Sequence, residues 1–132
     1  MTIQYGTTLR NAKLDAIEST VGTAPLLYLR TGAQPANCAA SDSGSLLATL
    51  TLPSDWMAAA SGGAKAKAGT WSGTASGSGT AAHFRVKDSA GTVCHVQGSV
   101  GLGSGDLSLD NNVIASGQTI TISSFTINDN NP

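Results

Sequence analysis

The side chains that most readily attack, carry a proton or hold a metal are few in this 132-residue chain: His83 and His95, Cys38 and Cys94, and eight carboxylates. Both histidines fall in the segment 80–100, which reads as a hairpin and sets them on its solvent face, diagonally offset with Cβ atoms about 7–8 Å apart. A zinc site needs a third ligand, and no Cys, Asp or Glu shares that face, so the expectation is two surface histidines, with His95 across from Arg85. The cysteines could bridge. The opening MTIQYGTTLR, however, has neither the basic start nor the apolar run of an export signal, which favours free thiols. Gly77-Ser78-Gly79-Thr80-Ala81-Ala82 fits the spacing of a dinucleotide loop but leads into a strand pattern rather than a helix. Asp106 and Asp110 sit in or beside turns, where bonding to their own backbone is a simpler role than holding calcium. These readings set aside catalysis, a cofactor and a metal.

The elements that would position these groups are mostly strands. Ala82, Phe84 and Val86 alternate with His83, Arg85 and Lys87, and Cys94 and Val96 alternate with His95 and Gln97. A three-residue turn at Ser89-Ala90-Gly91 would pair Val86 with Cys94 and Phe84 with Val96, placing Cys94 on the apolar side. Residues 7–21 predict the one helix: Leu14, Ile17 and Val21 share a face, Thr7 or Thr8 can cap the start, and Gly22 can end it. It would pack on the sheet or dock on a partner.

Leu26-Leu27-Tyr28-Leu29 reads as a strand buried on both faces, and Leu46, Ala48, Leu50 and Leu52 as the inward side of another. Trp56 and Met57 would plug one end of a sandwich. Segment 58–80 is either a strand with Ala64, Ala66 and Ala68 inward or a flexible loop. Near the end, the apolar phase shifts between Ile122 and Phe125, as an inserted bulge would produce. Seven or eight short strands plus one N-terminal helix predict a mainly β single domain, an antiparallel β-sandwich or jelly-roll-like barrel, with residues 1–8 a candidate extended arm and 128–132 a loose tail.

Composition narrows function further. Ala, Gly, Ser and Thr make up half of the residues, only 11% are charged, and the net charge is −1. Seven scattered basic residues build no phosphate-tracking stripe, which argues against nucleic acid, and no apolar run is long enough to span a membrane as a helix. Six aromatics must provide much of the bulk of a thin core, which association would help to stabilise.

Several stretches together are similar to a family of small virion proteins of tailed bacteriophages, some of them capsid decoration (cement) proteins. They are Leu9-Arg10-Asn11-Ala12 with Leu14-Asp15-Ala16-Ile17, Arg30-Thr31-Gly32 with Pro35-Ala36-Asn37, and 46–50. Ala82-His83-Phe84-Arg85 with Asp88-Ser89-Ala90-Gly91-Thr92, and Ser124-Phe125-Thr126-Ile127, complete the set. The resemblance spans nearly the whole chain and brings no catalytic residues. It implies a protein made in the bacterial host cytoplasm and carried on the capsid exterior, clustering with copies of itself, commonly as trimers, and clamping the major capsid protein. Partner contacts are expected on the arm (Thr2, Ile3, Gln4, Tyr5), on Trp56 and Trp71, and on the small-residue loops 33–44 and 58–80. The other reading is a receptor- or glycan-binding tail module in which Trp56, Trp71 and Tyr28 stack on sugars.

Overall fold

A computed structural model describes residues 2–130. After the exposed segment 2–6, helix α1 spans Thr7–Val21. Its N-cap is Gly6, with no side chain bonding the first turn, so Thr7 and Thr8 lie inside the helix rather than capping it. Gly22, at φ 91°, ends it as the sequence suggests. Leu14 and Val21 are buried and Ile17 packs against the core.

The strands are β1 (Leu26–Arg30), β2 (Leu46–Thr51), β3 (Ala64–Ala66), β4 (Trp71–Thr74), β5 (Gly79–Thr80), β6 (His83–Lys87), β7 (Cys94–Leu102), β8 (Leu107–Leu109), β9 (Val113–Ile114), β10 (Thr119–Ile122) and β11 (Thr126–Asn128). A curled five-stranded sheet runs β2-β1-β6-β7-β8, faced by three two-stranded ladders, β10-β4, β11-β3 and β5-β9. The architecture is therefore mainly β, a sandwich with one N-terminal helix. The count reaches eleven because the Gly- and Ala-rich segment supplies three short strands instead of a loop. All pairings are antiparallel except β7–β8. There the chain loops back beside β7 and resumes the same direction, by way of Gly103 and Gly105, at φ 68° and 81°, values that glycine adopts most freely.

Between the layers lie Leu27 and Leu29, Leu47, Ala48 and Leu50, Phe84 and Val86, and Ile120 and Ile122. An aromatic chain runs through them: Trp56 to Trp71 at 6.0 Å, Trp71 to Phe125 at 5.4 Å, and Phe125 to Phe84 edge-on at 5.7 Å between centroids. Each large apolar side chain buried this way contributes roughly 1.5–3 kcal/mol. The aromatics do supply core bulk, except Tyr5, which is exposed, and Tyr28, which is half-buried.

Local departures from simple alternation have identifiable causes. A bulge opposite Leu29–Arg30 lets Leu47 turn inward beside Ala48, leaving Leu46 exposed. β1 buries one face fully and the other only in part. In the β6–β7 hairpin the turn spans 88–93, because the Asp88 carboxylate accepts the backbone N–H groups of Thr92 (2.8 Å) and Val93 (3.3 Å). A bulge at His95 then pairs Val86 with Val96, Phe84 with Gly98 and Arg85 with Gln97, and sets Cys94 opposite Lys87. Gly98 suits that register, since a Cβ there would sit 2.7 Å from the Phe84 ring. Ser123 and Ser124 mark a break between β10 and β11, which pair with different strands, rather than a bulge within one. The expected loose tail begins inside β11, and Asp129 is tied to the Gly63 carbonyl through its N–H at 2.9 Å. Residues 131 and 132 lie outside the described residues.

Candidate functional site

The outer face of the five-stranded sheet carries an alternation of polar residues that the sequence suggested would meet solvent. Instead the β1–β2 connection, residues 31–45, folds back over it. The organising side chain is Arg85 on β6, 1% exposed. Its Nη1 donates to the Ala40 carbonyl (3.0 Å) and to Asp42 Oδ1 (2.6 Å), and its Nη2 donates to the carbonyls of Asn37 (3.2 Å) and Cys38 (2.9 Å). The guanidinium fork suits this role, because it offers several donors in a fixed plane and keeps its charge when buried.

Neighbouring contacts complete the fastening. Lys87 reaches Asp42 Oδ2 at 2.9 Å, Arg30 Nε donates to the Ser43 carbonyl at 2.8 Å, and the Gln97 amide donates to Pro35 at 2.8 Å. The hydrogen bond from Lys87, joined by that from Arg85, holds the Asp42 carboxyl below the usual range although partial burial opposes it. Burial works against charge on Arg85, but Asp42 and Cys94 together outweigh it and raise its pKa. With the loop carbonyls drawn inward, Ala33, Gln34, Ala36, Asn37, Ala39 and Ser41 stand exposed on the outside. The result is a surface of small side chains on a backbone already fixed.

His83, expected on a wet surface, lies buried under the same loop, its Nδ1 2.9 Å from the Gly32 carbonyl. Nε2 finds no partner among the described residues. His95, displaced into the bulge, lines a groove beside α1 with Lys13, Ile17 and Val96, and it is Gln97 that stands across from Arg85. The histidines therefore do not share a face. The shift of register also moves Cys94 off the apolar side and onto the outer face, beside Cys38 of the loop.

Three exposed apolar residues lie near the chain start, Ile3 at 73%, Leu9 at 50% and Tyr5 at 41%, with Lys13 4.3 Å over the Tyr5 ring, and others, Leu46, Val93, Leu102 and Val113, are spread over the rest of the chain. Thr2 and Gln4 are exposed alongside Ile3 and Tyr5. Trp56 and Trp71, expected as contacts, are 0% exposed and cannot touch a partner in this fold. Their indoles are core members whose N–H groups are satisfied internally. Trp56 donates to Gly22 at 3.0 Å, and Trp71 to Trp56 (3.2 Å) and Ala68 (3.1 Å). Trp56 thus ties the helix end to the core, as its expected role of plug requires.

A hollow of about 540 Å³ opens beside α1 among Asp15, Glu18, Asp55, Met57 and Lys65. Its charged groups largely engage one another. Lys65 is 1% exposed and donates to Asp15 (2.7 Å), Glu18 (2.9 Å) and the Ala58 carbonyl (2.8 Å). Burial disfavours its charge, yet the two carboxylates more than compensate and raise its pKa. This reverses the expected phase of the strand, since Lys65 points inward and Ala66 out. The lysine fastens α1 to β3, helped by Asn11 and Asp15 accepting the N–H groups of Gly63 and Ala60.

Asp106 accepts the Ser99 N–H at 2.9 Å, a bond to the backbone of β7 rather than to that of its own turn. The glycine pattern at 77–82 runs through β5 toward β6, with no helix behind it. Among the described residues no three His, Cys, Asp or Glu side chains gather as a metal site, and no helix is long and apolar enough to cross a membrane. Comparison with protein-family models, curated proteins and solved structures returned no match.

Proposed function

We propose that this chain is a structural docking protein, a bacteriophage capsid decoration (cement) protein of the kind its sequence resembles, working by contact rather than catalysis. The observation that carries the reading is the 31–45 loop, whose backbone Arg85 fixes from beneath while its small side chains face outward. A surface ordered in advance loses little conformational freedom on binding, and short side chains allow close approach of another backbone. The exposed segment 2–6, with Ile3 and Tyr5, offers apolar anchors for a second contact.

Partners in this reading are the major capsid protein and further copies of the chain, most simply as a trimer on the capsid exterior. Contacts available only on the assembled shell stabilise it by mass action, and many modest sites on one lattice add up. The glycan-binding alternative loses its platform, because two of its three aromatic residues are interior.

The test is co-sedimentation with phage heads lacking this chain. Wild type is expected to pellet with the heads and raise the temperature at which they rupture. Ala39→Arg, or deletion of residues 1–6, is expected to weaken pelleting at least tenfold with circular dichroism unchanged. Failure of wild type to pellet would end the proposal.

A further inference from the structure

Cys38 and Cys94 are separated by 56 positions in sequence, yet their Sγ atoms lie 2.6 Å apart. Neither backbone is loose. The Cys38 carbonyl accepts a 2.9 Å hydrogen bond from Arg85, whose other bonds hold Asn37 and Ala40 on either side. Cys94 is fixed opposite Lys87 in the β6–β7 ladder. Both cysteines are partly exposed, so a small oxidant can reach them. A disulfide needs its sulfurs brought to ~2.05 Å, and two thiols already in contact on fixed backbones meet that need without moving a strand.

We infer that Cys38 and Cys94 form a redox-sensitive pair that closes into an intrachain disulfide, fastening the 31–45 loop covalently to β7, with a small-molecule disulfide such as oxidised glutathione as oxidant. In the first step the Cys38 thiolate attacks one sulfur of the oxidant, breaking its S–S bond and releasing one glutathione thiolate. Cys94 then gives up its proton to solvent and attacks the Cys38 sulfur of the mixed disulfide, expelling the second glutathione thiolate. The protein thiols lose two electrons and two protons, and the oxidant takes up the electrons and leaves as two protonated thiols. The order follows from Cys94, whose thiol is pushed up to about 11 by burial and by Cys38, so it stays protonated at neutral pH and attacks second. This inference is independent of the proposed function.

The experiment equilibrates the full chain with excess oxidised glutathione, quenches with acid, and digests without reductant. The expected product is one disulfide-linked pair of peptides carrying Cys38 and Cys94 in a monomeric chain. The melting temperature is expected to rise by about 10 °C over the reduced protein, because the bond closes a long loop of the unfolded chain. Cys38→Ser and Cys94→Ser should each abolish that difference between oxidised and reduced samples. Two thiols still open to alkylation, glutathione on both cysteines, or a cross-link between chains would each overturn the inference.

Discussion

Replacing Arg85 with alanine tests the arrangement of the outer face. The substitution removes four hydrogen bonds, one to the Asp42 carboxylate and three to the carbonyls of Ala40, Asn37 and Cys38. Bonds from a charged donor are worth ~1.5–3 kcal/mol each, so their simple sum is large. The loop has another course, however: it can lift away and let water satisfy its carbonyls. The buried Nε of Arg85, without a partner among the described residues, is an existing cost that the substitution relieves. The net loss is therefore about 3 kcal/mol, the range found when one member of a buried pair is removed. For a domain of this size that lowers the melting temperature by about 10 °C. Arg85→Lys keeps the charge but cannot fork across the carbonyls, and should lose about half as much. Thermal unfolding followed by circular dichroism gives the magnitude, and hydrogen exchange gives the place, with protection falling at the Ala40 amide. Arg85→Ala melting within about 2 °C of wild type, with protection at 37–42 unchanged, would refute the reasoning.

Three further outcomes are expected. Asp42 binds its proton more weakly folded than unfolded, so its contribution is complete above the ordinary value of 3.8 and is lost as pH falls through the lower folded value. Stability measured between pH 5 and about 2 should therefore fall less steeply in Asp42→Asn than in wild type. Lys65→Met keeps the stem but removes the ammonium between Asp15 and Glu18. Because those carboxylates can turn to water, chemical denaturation should show a loss of about 1–2 kcal/mol. Trp56→Ala should cost about 3–5 kcal/mol by the same assay, through a core cavity and the lost tie to Gly22.

The elements were largely legible in the sequence because periodicity records burial. The helix is Thr7–Val21 as Leu14, Ile17 and Val21 imply, and β6 buries Phe84 and Val86 on one face as alternation requires. What alternation cannot record is a second layer over the polar face. His83 and Arg85 look like solvent-facing residues, and only the return of the 31–45 loop buries them. The Cys38–Cys94 proximity was hidden by a single residue. The bulge at His95 and the longer Asp88 turn move Cys94 to the other face, and no pattern in 80–100 announces them. Lys65 misleads in the same way, since its burial depends on two carboxylates of a distant helix. Trp56 and Met57 were legible as a plug, but Trp56 and Trp71 were misread as contacts, because an aromatic's type does not say which side of a wall it stands on.

The claim that matters most is that this chain works by lying against a larger lattice through a pre-fixed loop and an exposed leading segment. A reconstruction of the virion that carries it is the most direct measurement. The account predicts many copies on the outer shell, with residues 31–45 and 2–6 pressed against neighbouring subunits. A shell without this chain, or a chain whose loop and leading segment face open solvent, would contradict it.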